Sequence, residues 1–140
     1  MRVRKINLLR DVEPLVEMSA HYVARPHKTK HYLESVVKCG GTVLIAEENE
    51  ERVGFIVLEI IDSPFEEKLY GQASFYYIDP SKGQKTVLEG LITGIETWCE
   101  ARRLPRLEIR VKEEDKYLKE IVGLNAYHFI SRGYQRVFEV

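Results

Sequence analysis

Apolar residues recur along the chain with two periods, and these periods predict the order of the secondary-structure elements. Alternating or continuous β-branched residues predict strands, whereas apolar residues spaced three and four apart predict amphipathic helices. One helix is expected between Thr29, which can cap its start, and the Gly40-Gly41 pair, which can end it. The other predicted helices are residues 11–22, 86–101 and 116–131, and the predicted strands are residues 2–6, 42–48, 52–62, 69–78, 106–111 and 134–140.

The order β-α-α-β-β-β-α-β-α-β predicts one mixed α/β domain over residues 1–140. The second and third strands are joined by a short acidic turn, so we expect a hairpin. A helix separates the strand that ends at Ile78 from the strand that begins at Arg106. Such a crossover predicts a parallel pair within a sheet that is otherwise antiparallel. The predicted class is therefore a central, mostly antiparallel sheet flanked by helices.

Charge and composition narrow the classes of partner. The 21 lysines and arginines nearly balance the 22 aspartates and glutamates, which argues against nucleic acid. The charged first residues and the absence of a long apolar run argue against a signal peptide and a membrane span. Cys39 and Cys99 show no motif spacing, so we expect reduced thiols and a cytoplasmic protein. His27 and His31 lack a patterned third ligand, so no metal is expected.

The stretch "YYIDPSKGQKTVLEGLITG", residues 76–94, has the order strand, proline corner, basic loop and helix. A helix N-terminus beside basic residues is a common anion site, and Lys82 and Lys85 supply the charges here. Ser81 and Gln84 have capping-box spacing. The loop has one glycine, Gly83, where phosphate-binding loops usually have two or three. A capped helix with two solvated lysines is the alternative interpretation.

This order of elements, with "YIDP" before a basic loop and a helix, resembles the GCN5-related N-acetyltransferase family. Three further segments carry the resemblance over nearly the whole chain: "GGTVLIAEENEERVGFIVLEI", "ARRLPRLEIRV" and "FISRGYQRVFEV". The resemblance implies that acetyl-CoA binds in a V-shaped gap between the fourth and fifth strands. It also implies transfer of the acetyl group to an amine.

The family's pyrophosphate loop falls on Gly83, Thr86 and Leu88 in this sequence, and all three depart from its pattern. The missing glycines matter because a backbone without Cβ atoms approaches phosphate more closely. We expect the backbone of Tyr77 and Ile78 to pair with the pantetheine arm. The remaining residues that the resemblance implies for acetyl-CoA binding are Lys82, Gly83, Gln84, Lys85, Thr86 and Asn125.

The resemblance also identifies the positions that carry acid–base chemistry. The family's tyrosine acid aligns with Phe129, which has no proton to donate, so water would protonate the thiolate. Tyr127 lies two residues earlier, about 200° around a helix, and should face elsewhere. On the third strand, Glu59 is the candidate base that would deprotonate the acceptor amine.

Two functions follow from these residues. The first is an acetyl-CoA-dependent N-acetyltransferase that acts on a small-molecule or peptide amine. The alternative is a non-catalytic member of the fold that works as a binding module, with the basic segment 25–31 as its contact surface. The fold normally has a seventh strand, which this chain lacks after Val140. A second copy could complete the sheet edge and form a homodimer through the C-terminal strand. The alternative is a monomer in which the last strand pairs with residues 106–111.

Overall fold

The computed structural model describes residues 1–110, 116–124, 127 and 136. A 3₁₀ turn, Pro26–Lys28, precedes the second helix. The strands are β1 (Arg2–Lys5), β2 (Thr42–Glu48), β3 (Glu51–Ile61), β4 (Tyr70–Ile78) and β5 (Leu107–Ile109). The helices are α1 (Val12–Ser19), α2 (Thr29–Lys38), α3 (Gln84–Ala101) and α4 (Lys116–Leu124). The predicted α/β class and the order of elements are confirmed over these residues.

The five strands form one sheet in the order β1-β2-β3-β4-β5. The first three pairings are antiparallel. β4 and β5 are parallel, as the intervening helix predicted. The turn between β2 and β3 places Asn49 and Glu50 at φ 50° and 66°, a pair of left-handed residues that suits a tight hairpin.

Helices cover both faces of the sheet. Alternation along β3 directs Phe55 and Val57 toward α1 and α2, whereas Ile56 and Leu58 point toward α3 and α4. Leu15 and Leu33 fill the first layer, and the apolar face of α3 fills the second. The buried face of α3 consists of Val87, Leu88, Leu91, Ile92, Ile95 and Cys99.

The helix boundaries differ from the predicted ones at the end of α1 and at the start of α2. α1 ends at Ser19, three residues early, where the buried Ser19 hydroxyl donates to the Leu15 carbonyl at 2.8 Å. Thr29 does not cap α2, because the 3₁₀ turn runs directly into the helix and Lys28 takes the cap position in a helical conformation. The predicted closure of α2 is confirmed, with Gly40 at φ 93°.

Some predictions concern residues outside the described part of the chain. They include the last strand, residues 134–140, and the end of the final helix. Asn125, predicted to contact acetyl-CoA, and Phe129, at the family's acid position, also lie outside the described residues.

Candidate functional site

The sheet splits between β4 and β5. β5 pairs with only three residues of β4, in the register Gly71 with Leu107 through Ala73 with Ile109. The last contact in the described residues is the Arg110 amide, which donates to the Ala73 carbonyl at 3.2 Å. Within the described part of the chain, no strand pairs with residues 75–78 on this side. Among the described residues, one end of β4 therefore presents an open backbone edge.

A β-bulge lies where the two strands separate. β3 pairs Leu58 with Ala73 and Val57 with Phe75, so Ser74 is an extra residue in β4. Bulges bend a strand and increase its local twist. The bulge thus provides a physical reason for β4 to turn away from β5 immediately after their last shared pair.

Main-chain alternation decides which β4 groups face the gap. The Asp79 amide donates to Val53 O at 2.8 Å, and Phe55 lies opposite Tyr77. In an antiparallel pair, every second residue of a strand directs its main-chain groups toward the partner strand. Tyr77 is two residues from Asp79, so its main-chain groups also point toward β3. The main-chain groups of Tyr76 and Ile78 then face the gap. Of the two residues predicted to pair with pantetheine, Ile78 has the suitable orientation.

The N-terminus of α3 opens beside the same end of β4. Its cap residue is Gly83, and no side chain caps it. The predicted capping box is wrong: the Ser81 amide and hydroxyl donate instead to Oδ1 of Asp79 at 2.9 and 2.8 Å. These hydrogen bonds also lower the pKa of Asp79. The first-turn amides of Gln84, Lys85 and Thr86 are left without a side-chain cap, so they are available to an anion.

The loop before α3 has room for a phosphate group. A Cβ atom at Gly83 would have no neighbour within 4 Å. Leu88 is 1% exposed and points into the core, so its side chain does not crowd the loop. Thr86 is exposed. An uncapped helix mouth with free space in front of it fits the pyrophosphate of acetyl-CoA, even without the family's glycines.

Both predicted phosphate-binding lysines already form ion pairs. Nζ of Lys82 lies 3.9 Å from Glu51, and Nζ of Lys85 lies 3.2 Å from Glu120 on α4. These side chains are substantially solvated, and such pairs stabilise a protein by about 0–1 kcal/mol. A phosphate can therefore displace the carboxylates, although it must compete with them.

Glu59 lies beside α2, on the face of the sheet opposite to α3. It lines a cavity of about 130 Å³, and it pairs with Gln72 on the closed side of the split. The Tyr32 hydroxyl in this cavity lies 2.7 Å from the hydroxyl of Ser74, the bulge residue. Burial raises the pKa of Tyr32, and the charge of Glu59 raises it further. Glu59 is thus near the bulge, and its role as a base stays a prediction.

An aromatic cluster covers the open half of β4 on the α1–α2 face. The ring of Tyr22 lies 6.0 Å from Phe75 and 5.5 Å from Tyr77. The Tyr77 hydroxyl lies 3.0 Å from Nε2 of His21. Burial, followed by the charge of Asp79, raises the pKa of Tyr77, so its phenol stays neutral. Tyr22 is 47% exposed, so the cluster presents an aromatic surface beside the gap.

Sequence reasoning missed the contact between His21 and Tyr77. Alternation alone places Phe75 and Tyr77 on one face of β4, but the Ser74 bulge changes their face relative to the residues before it. The helix predicted for residues 11–22 included His21 and Tyr22, but α1 ends at Ser19, so both residues lie in the segment after it. The signal available in the sequence was the density of aromatic residues in "SFYYI".

The Tyr127 side chain contacts α3. Its hydroxyl donates to Oε2 of Glu96 at 2.9 Å. Burial raises the pKa of Tyr127 well above its usual range, and the bond to Glu96 raises it further. The phenol therefore keeps its proton in a bond to Glu96.

Two other classes of site have no counterpart in the described residues. No group of three or more histidine, cysteine, aspartate or glutamate side chains in them is arranged to hold a metal ion. None of the helices in the described part of the chain is long and apolar enough to cross a membrane.

Solved structures with the same fold are numerous, although sequence comparison alone finds no relative. No protein-family model matches the chain, and no curated protein sequence matches it significantly. The crystal structure of ribosomal-protein-alanine N-acetyltransferase from Brucella melitensis biovar Abortus 2308 superposes with a TM-score of 0.79 at 18% identity, covering 99% of this chain and 100% of that one. Aminoglycoside N-acetyltransferase AAC(6')-Iy in complex with CoA gives 0.79 at 12% identity, covering 99% and 95%.

A third structure is a predicted acetyltransferase from Clostridium acetobutylicum with acetyl-CoA. It gives a TM-score of 0.78 at 13% identity, covering 97% of this chain and 95% of that one. The chain therefore has the GCN5-related N-acetyltransferase fold. In this chain the described residues form a split between β4 and β5, a bulge in β4 and an open N-terminus of α3.

Proposed function

We propose that the protein is an acetyl-CoA-dependent N-acetyltransferase. The observation that carries the proposal is the continuity between the unpaired edge of β4 and the uncapped N-terminus of α3. An arm with amide groups can add to the β4 edge as a strand would, while its phosphates reach the helix mouth. Structural neighbours whose names describe acetyltransferases, two of them with CoA or acetyl-CoA, support the same class.

Each part of acetyl-CoA has a proposed contact. The main-chain groups of Tyr76 and Ile78 pair with the pantetheine arm. The pyrophosphate accepts hydrogen bonds from the first-turn amides of α3, and Lys82 and Lys85 exchange their carboxylate partners for it. The full set proposed for acetyl-CoA is Tyr76, Ile78, Lys82, Gly83, Gln84, Lys85 and Thr86, together with Asn125 beyond the described residues.

The acceptor amine approaches from the α1–α2 face. Tyr22 and Phe75 form the apolar surface it meets, and Glu59 accepts the proton that the amine loses. The nitrogen then attacks the acetyl carbonyl directly, and most of the rate enhancement comes from holding the two reactants together. Small-molecule and peptide amines are both suitable acceptors for a surface of this kind.

A second function is favoured by one specific observation. Lys82 and Lys85 are already paired with Glu51 and Glu120, which would be the resting arrangement of a protein that no longer binds phosphate there. Such a protein would be a non-catalytic binding module. Its contact surface would be the exposed basic residues around the 3₁₀ turn, Arg25, His27, Lys28 and Lys30.

Calorimetric titration with acetyl-CoA separates the two functions. Replacing both lysines, Lys82→Ala with Lys85→Ala, should weaken binding about tenfold, because each exposed charge contributes about 0.5–1 kcal/mol. The control is Lys38→Ala with Lys68→Ala, which removes two exposed lysines elsewhere and should leave the affinity unchanged. Equal affinities in wild type and the first variant would overturn the proposed phosphate site.

Activity is tested with a panel of amines. The panel contains aminoglycosides, polyamines, arylalkylamines and peptides with free N-termini, and acetylated products are detected by mass spectrometry. Binding of acetyl-CoA without any acetylated product would favour the binding module. We further propose that the chain acts in the cytoplasm as one domain. The homodimer through the C-terminal strand involves residues beyond the described part, and analytical ultracentrifugation tests it.

A further inference from the structure

One buried phenol in the site has no hydrogen-bond partner. The hydroxyl of Tyr76 is inaccessible to solvent and contacts no donor or acceptor among the described residues. An unpaired buried hydroxyl costs about 1–3 kcal/mol, so protein structures rarely keep one without a reason. In the described part of the chain, the Thr42 hydroxyl is the other such side-chain group, and it lies at the start of β2, away from the gap.

Tyr76 is placed between the mouth and the apex of the gap. It lies two residues before Ile78 and two after the Ser74 bulge, about 7 Å from each along the strand. Its ring packs in the cluster under α3 and α4, opposite Ile56, while its main-chain groups face the gap. β5 covers none of this part of β4 in the described residues.

The mouth at α3 receives the phosphates, so the reactive end of acetyl-CoA enters deepest, toward the bulge. A thioester that is aminolysed expels a thiolate, which needs a proton donor nearby. Tyr127 is committed to Glu96, and position 129 is a phenylalanine. Tyr76 is the phenol in the open half of β4 that still has a hydrogen bond to make on this face.

We propose that the Tyr76 hydroxyl hydrogen-bonds the CoA sulfur and protonates it as the thiolate departs; this inference rests on the proposed function. The acceptor nitrogen forms a bond to the acetyl carbon, and the carbon–sulfur bond breaks with its electron pair passing to sulfur. The Tyr76 proton moves to that sulfur. The attacking amine loses one proton to Glu59 or water, and water returns one proton to the Tyr76 phenolate. The net transfer is one proton from nitrogen to sulfur, so the step balances without another reactant.

The binding test compares CoA with desulfo-CoA, which lacks the sulfur, in calorimetric titrations. Wild type should bind CoA about fivefold more tightly, the factor expected for one hydrogen bond of ordinary strength. Tyr76→Phe keeps the ring and should abolish this preference. Tyr70→Phe is the matched control, because Tyr70 lies on the same strand at the opposite end, opposite Ile61, and its variant should keep the preference.

Two further measurements separate a catalytic hydroxyl from a structural one. Because the Tyr76 hydroxyl is unpaired, Tyr76→Phe should melt at the same temperature as wild type or higher. With the best amine from the panel, it should lower turnover about 100-fold while the KM for acetyl-CoA changes little. An unchanged preference for CoA, or a lower melting temperature with unchanged turnover, would overturn the assignment. If wild type binds neither CoA nor desulfo-CoA, the proposed function itself fails.

Discussion

Glu120→Gln should strengthen acetyl-CoA binding, although the substitution removes an ion pair from the free protein. Glu120 lies 3.2 Å from Nζ of Lys85, and both side chains are about half exposed, 56% and 43%. The pair therefore contributes at most about 1 kcal/mol to folding. If the pyrophosphate binds at the α3 mouth, Lys85 must leave Glu120, and the carboxylate then repels the phosphate.

The magnitude follows from these two contributions. Breaking the pair costs about 0.5 kcal/mol, and repulsion between solvated charges a few ångströms apart adds about the same amount. Their sum of about 1 kcal/mol corresponds to a fivefold gain in affinity for Glu120→Gln. Lys85→Ala should lower the affinity by a similar factor, and the double variant should lie between the two.

Calorimetry at 50 and 300 mM sodium chloride provides the assay. The gain should be largest at the lower salt concentration, because exposed charges are screened within about 10 Å at 0.1 M. Glu67→Gln, an exposed carboxylate in the loop before β4, is the matched control and should have no effect. A loss of affinity for Glu120→Gln, or a gain that does not depend on salt, would refute the proposed position of the phosphate.

Three other substitutions test separate parts of the structure. Asp11→Asn should lower the free energy of unfolding by about 3 kcal/mol at pH 7, because the fully buried Asp11 accepts hydrogen bonds from Arg4 and Arg52. These bonds depress the folded-state pKa of Asp11, so the difference in unfolding free energy between wild type and variant should narrow below about pH 4 in urea titrations. A difference that stays constant with pH would contradict this prediction. Gly54→Ala should lower the free energy of unfolding by about 2 kcal/mol, because the added Cβ would lie 2.9 Å from the Tyr77 carbonyl. An unchanged free energy in urea unfolding would contradict this. Tyr22→Ala should raise the KM of the amine in steady-state kinetics, and equal KM values would remove it from the acceptor surface.

The sequence predicted the strands and the crossover because their signals are local. The strands β2 and β3 and the helix α3 are 7, 11 and 18 residues long. Each was long enough for its period to be unambiguous. The parallel pairing of β4 with β5 then followed from the intervening helix.

The details of the site depend on contacts between distant segments, and these have no local signal. The Ser74 bulge requires the register against β3, and the pairing of Lys85 with Glu120 requires the position of α4. The capping box failed because Ser81 found a nearer acceptor in Asp79. The alternation of main-chain hydrogen bonds along β4 also depends on the register against β3. It directs the main chain of Ile78, rather than that of Tyr77, toward the gap.

The melting temperature with and without acetyl-CoA tests the proposed site most directly. Ligand at about 100 times its dissociation constant stabilises a protein by about 2.7 kcal/mol. For 140 residues this corresponds to a rise of about 8 °C. A rise of that size, reduced in the Lys82→Ala and Lys85→Ala double variant, is the result that an acetyl-CoA site predicts. An unchanged melting temperature at millimolar acetyl-CoA would contradict it.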